Sequence, residues 1–197
     1  MSRLALPAAA LLTLAAGVAQ AHTGISAAGG FGYGFAHPLG GLDHVLAMVA
    51  VGVLAAQLGP RALWLVPLSF IAMMIVGGAL AMTGISLPLV ETAIGLSVVA
   101  FGLAVAAGYR LPASTAMALA GFFALFHGYA HGAEMPGSLS GLDYAAGFVL
   151  ATALLHVAGA GTAITAAKLG HVYGERALRS AGGLIALVGV GTLLGNL

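Results

Sequence analysis

The chain has 197 residues, of which 61% are hydrophobic and only 6% charged; its formal net charge is +1 and its mean hydropathy +1.10. An average soluble domain is about 25% charged, so this composition excludes disorder, cannot clothe a water-soluble globule, and gives nucleic acid no basic footprint. There is no cysteine, which excludes disulfides, thiolate metal sites and cysteine nucleophiles. What is left is an all-α integral membrane protein.

Residues 1–21 read MSRLALPAAALLTLAAGVAQA. Arg3 precedes a short apolar run, and Ala19-Gln20-Ala21 has the small-x-small form of a cleavage site, so a cleavable signal peptide is expected. Cleavage makes His22 the new amino terminus. Its α-amine and imidazole together offer a nitrogen chelate suited to Ni²⁺ or Cu²⁺, and the Gly-rich stretch Gly29 to Gly34 reads as flexible enough to bring it to an outer site.

A hydrocarbon core of about 30 Å needs roughly 20 apolar residues per helix. Six runs qualify and predict six transmembrane helices: 38–58, 62–83, 88–108, 112–133, 141–167 and 180–197. Residues 22–197 therefore read as one transmembrane domain. Short loops between the runs predict antiparallel neighbours. With the mature amino terminus outside, Arg61, Arg110, Lys168, Arg176 and Arg179 all fall in inside loops, which is the positive-inside pattern of a bacterial inner membrane protein.

Ionisable groups within spans are costly and mark function by default. His37, Asp43 and His44 sit at the outer end of the first run, in HPLGGLDH. Pro38 biases His37 towards an extended conformation, and Gly40-Gly41 weakens the next turn, so a broken helix end is expected there. His127, His131 and Glu134 sit at the outer end of the fourth run, in FHGYAHGAE. Spaced i, i+4 and i+7, they share one helix face within roughly 60°. Imidazole nitrogens beside a carboxylate suit nickel, cobalt, zinc or copper. Both motifs are expected to meet at one outward metal site.

Glu91 and Asp143 also lie near outer span ends and are candidates for the transport path. Asp143 has the competing reading of a plain helix cap after Gly-Leu. His156 lies in mid-span, either as a deeper relay or as a packed polar residue; His171 reads as a solvated loop residue.

HPLGGLDH and FHGYAHGAE resemble the paired motifs of the HupE/UreJ family of nickel/cobalt membrane permeases. The resemblance covers nearly the whole chain in signal peptide, span count and motif order. It implies metal-handling roles for His37, Asp43 and His44 in the first span and for His127, His131 and Glu134 in the fourth. The first motif is also similar to the HX4DH signature of nickel–cobalt transporters, with one more residue between His37 and Asp43. The implied function is secondary uptake of a divalent transition metal, nickel first, for a nickel enzyme such as hydrogenase or urease; the implied alternative ion is cobalt. No resident cofactor and no catalytic residue is expected. The expected partners are the metal ion and the lipid bilayer, with no nucleic acid and, in the absence of a Walker A segment, no ATP use by this chain. A membrane-embedded zinc-dependent hydrolase is the rival from another class, since three His with two acids suit Zn²⁺ and a water.

Overall fold

The computed structural model describes residues 29–108, 111–168 and 170–195. The expected signal peptide 1–21, His22 and Arg110 lie outside the described residues. The fold is all helical: α1 (Gly29–Ala36), a 3-10 turn (His37–Leu39), α2 (Leu42–Gln57), α3 (Pro60–Met82), α4 (Val90–Ala107), α5 (Ala113–Ala133), α6 (Gly141–Lys168) and α7 (His171–Leu193). Among the described residues, α3 to α6 are each long and apolar enough to cross a membrane. Helix α1 with its 3-10 turn and α2, bent by 82° at their junction, are together also long and apolar enough, as one broken span or as a re-entrant pair. This gives four or five candidate spans among the described residues where the sequence predicted six.

Two segments differ from the reading of the sequence. The Gly-rich stretch Gly29 to Gly34 is helical rather than flexible, because its glycines serve packing. A Cβ at Gly34 would strike the Tyr144 carbonyl, and one at Gly147 would strike that of Phe31, so α1 lies directly on α6. The last helix begins at His171, not at residue 180. Glu175, Arg176 and Arg179 are thus helical rather than in a loop. Arg179 Nε donates to the Ala106 carbonyl at 2.8 Å and pairs with Glu175 at 3.5 Å one turn earlier, so the charges stabilise both this helix start and the end of α4. Arg61 likewise lies in the first turn of α3 behind Pro60, a residue well placed at a first helical position.

Sequence neighbours are not the main packing partners. The expected antiparallel contact of α3 with α4, and of α5 with α6, is nearly absent; instead α3 packs on α5, α4 on α7 and α2 on α6. Glycine decides this. A Cβ at Gly77 would meet the Leu125 carbonyl and one at Gly128 the Met74 carbonyl, which brings the α3 and α5 backbones together. Gly52 and Gly159 do the same for α2 and α6, facing the carbonyls of His156 and Val49. In lipid, where apolar side chains gain nothing by clustering, such close backbone approach is what holds helices together.

The interior is filled by Met48, Val51, Leu54, Val66, Phe70, Met74, Val98 and Phe101. Large apolar side chains also cover the outside, among them Trp64, Leu68, Leu103, Leu154, Val157 and Leu187. A helix that is apolar all round suits a bilayer. Following the chain, the starts of α2, α4 and α6 and the ends of α3 and α5 share one end of the bundle, which carries the histidine motifs; Arg61, Lys168, Arg176 and Arg179 mark the other.

Candidate metal centre at the histidine end

The corner between α1 and α2 presents the first motif. Pro38 is the second residue of the 3-10 turn, Gly40 remains helical, and Gly41 (φ −105°, ψ 121°) is the extended residue that breaks the chain direction. The break is therefore at Gly41 and not at His37, which is part of the turn. Gly41 also makes room: a Cβ there would stand 2.8 Å from Asp43 Oδ1 and 2.9 Å from His44 Nδ1. In that space His44 Nδ1 lies 2.8 Å from Asp43 Oδ1, which also accepts the His44 backbone N–H.

The second motif ends α5. His127 and His131 are buried on its inner face, and Glu134, the cap residue, is 58% exposed in its side chain. His37 Nε2 stands 2.9 Å from Glu134 Oε2, and His131 Nδ1 is 4.0 Å from the same oxygen. One ligand atom from each of His37, His131 and Glu134 lies within 4.8 Å of the others, a grouping that can hold a metal ion. Tyr33 and Tyr144 flank the His37 ring at 5.7 and 5.9 Å, and Tyr144 donates from its hydroxyl to the His131 carbonyl at 3.2 Å.

Behind this group the rings continue inward. His44 is 4.3 Å from His131 and 4.8 Å from His127, centre to centre. Phe70 then separates His127, at 5.6 Å, from His156, at 5.1 Å. His156 is buried and both its ring nitrogens lack a hydrogen-bond partner. The two motifs thus face one another, but in layers: His37, His131 and Glu134 outermost, the Asp43–His44 pair beneath, His127 deeper, His156 deeper still. Glu91 is exposed in the first turn of α4, apart from the group. Asp143 is exposed in the first turn of α6; its backbone N–H lies 3.4 Å from Ser140 Oγ, so Asp143 is not the cap.

A cleft of about 400 Å³ opens beside His131, lined by Met74, Met82, Leu142, Phe148 and Val149 among others. Its wall is almost wholly apolar, which suits an acyl chain better than a hydrated cation.

A family model described as HupE / UreJ protein matches residues 10–192. The chain belongs to the HupE/UreJ family. It is 46% identical over 178 residues to Protein HupE of Rhizobium leguminosarum bv. viciae, covering 90% of this chain and 91% of that one. No solved structure gives a significant match. With its long apolar helices, this HupE/UreJ chain is a multi-pass membrane protein.

Sequence reasoning missed several residues that touch the histidines of this family member: Tyr33 and Tyr144 beside His37, Phe148 beside His131, and, deeper, Phe70 and Ser97. Phe70 is an ordinary apolar residue in an apolar run, and nothing in the sequence singles it out. Ser97 lies 2.8 Å from His127 Nε2; as a small polar residue within a span it gives a faint signal at most.

Proposed function

We propose that the protein is a secondary transporter that takes up a divalent transition metal, nickel first and cobalt second, across the bacterial inner membrane. The observation that carries this reading is the grouping of His37, His131 and Glu134 at the open end of the bent α1–α2 pair. Two imidazoles and one carboxylate favour borderline ions over Mg²⁺ or Ca²⁺. Exposed Glu134 meets the hydrated ion first, and buried His131 takes it from water. The layered rings of His44, His127 and His156 then offer nitrogen donors at increasing depth. The membrane potential supplies about 2.3 kcal/mol per charge per 100 mV, which drives a divalent cation inward without ATP.

The topology proposed with this function is a signal peptide cleaved after Ala21, six spans, and a mature amino terminus in the periplasm. The family resemblance supports nickel supply to an enzyme such as hydrogenase or urease. In this reading Glu91 and Asp143 border the entrance, His22 adds a further nitrogen donor, and no residue is catalytic. The zinc hydrolase alternative would draw on the same donors, since two His and one Glu also suit a catalytic Zn²⁺; the match to the HupE/UreJ family favours transport instead. The test is uptake of radiolabelled Ni²⁺ and Co²⁺ by cells expressing the protein. Uptake above that of control cells, lost in His131→Ala at equal membrane abundance, is expected; uptake no higher than in control cells refutes the reading.

A further inference from the structure

Ser97 is fully buried in α4, with no exposed surface. Its hydroxyl has two neighbours, the Ile94 carbonyl at 2.6 Å and His127 Nε2 at 2.8 Å. A hydroxyl has one proton to give, and a carbonyl only accepts. The proton therefore goes to Ile94, and the Ser97 oxygen must accept from His127. Nε2 of His127 carries the ring hydrogen, and its lone pair is on Nδ1.

The same logic fixes His44. An ionised carboxylate only accepts, so the 2.8 Å contact with Asp43 places the ring hydrogen of His44 on Nδ1 and the lone pair on Nε2. Two unrelated helices thus set opposite tautomers on two rings 4.8 Å apart. The atoms left with lone pairs, His127 Nδ1 and His44 Nε2, are both buried and have no hydrogen-bond partner. A buried polar atom left unsatisfied costs about 1–3 kcal/mol. A neutral imidazole whose other nitrogen donates to a fixed oxygen is the state in which histidine binds metal.

We propose that Ser97 is a positioning residue that holds His127 as the Nε2–H tautomer, so that His127 Nδ1 and His44 Nε2 form a second, inner station for a divalent transition-metal ion. The proposal rests on the permease reading for its cargo. The inner station is built of nitrogen alone, whereas the outer group includes a carboxylate. It therefore discriminates further against hard cations, which prefer oxygen. His131, in ring contact with both His37 at 4.8 Å and His44 at 4.3 Å, is the point of hand-over.

The test uses the full-length protein, with Co²⁺ as the probe ion. Imidazole nitrogen NMR of metal-free protein should show His127 as Nε2–H in the wild type and a changed tautomer ratio in Ser97→Ala. Loss of a partner that orients a ligand typically costs about 10–100-fold, so the maximal Co²⁺ uptake rate of Ser97→Ala should fall by at least about 10-fold. The half-saturating concentration should stay within about twofold, because the outer ligands are intact. Ser97→Thr keeps the hydroxyl and should restore the rate. A wild-type tautomer or a wild-type maximal rate in Ser97→Ala overturns the proposal. So does a Ser97→Thr protein that folds normally and is as slow as Ser97→Ala. If Ser97→Thr does not fold, the tautomer of Ser97→Ala decides. If the wild type carries Ni²⁺ and no Co²⁺, the same rates are read with Ni²⁺; if it carries neither ion, the permease reading fails on its own account. Co²⁺ titration of the purified protein then decides the station: weaker binding in Ser97→Ala upholds it, and unchanged binding refutes it.

Discussion

At the scale of single residues, Gly41 shows how a residue without a side chain contributes to the candidate site. Its neighbours Asp43 Oδ1 and His44 Nδ1 stand where a Cβ would lie, at 2.8 and 2.9 Å. Gly41→Ala should force the Asp43–His44 pair open and slow metal uptake by about 10-fold or more, as expected for loss of a group that orients a ligand. Gly40→Ala is the control: its Cβ would stand 3.3 Å from the His37 carbonyl, and its backbone is already helical. Uptake assays at matched membrane abundance compare the two. Asp43→Asn should lower uptake in the same range, because the amide nitrogen and oxygen no longer dictate one His44 tautomer; unchanged uptake would remove Asp43 from the site. The histidines and acids were legible in the sequence because charge is rare in a chain that is 6% charged. Their division into layers was not, since it depends on the corner at Gly41 and on how far α5 is rotated. Ser97 was hidden because a lone serine in a span has many harmless roles.

At the scale of elements, reciprocal glycine pairs set the helix neighbours and so the depth of each histidine. Gly128 lies between His127 and His131 and faces the Met74 carbonyl. Gly128→Ala should part α5 from α3 and lower stability by about 1–3 kcal/mol, the usual range for overpacking. Gly161→Ala, on α6 with open space around it, should be neutral or stabilising by up to about 1 kcal/mol. Thermal unfolding in detergent measures both, and equal loss in the two variants would deny the glycine contact its role. The middle helices were legible as runs of about 20 apolar residues. The start of α7 was not, because Glu175, Arg176 and Arg179 interrupt the hydropathy there while the Glu175–Arg179 pair and the Ala106 contact favour helix. Helix α1 was not legible because glycine reads locally as flexibility, and only the presence of α6 turns it into a packing surface.

At the scale of the whole molecule, an apolar exterior surrounds a polar file that enters from one end. His37, His131 and Glu134 lead through His44 and His127 to Phe70 and His156, while Arg61, Lys168, Arg176 and Arg179 gather at the other end. Positive charge is retained on the cytoplasmic side, so reporter fusions at residues 58–60 should read as cytoplasmic and fusions at 135–140 as periplasmic. The reverse pattern would point the histidine end inward and recast uptake as export. The central claim is that this file conducts a divalent transition metal. The direct measurement is Ni²⁺ entry into liposomes containing only the purified protein, under an inside-negative potential. The account predicts potential-dependent accumulation that is lost in His131→Ala and undiminished by excess Mg²⁺. Entry no faster than into protein-free liposomes, from a folded protein, would contradict it.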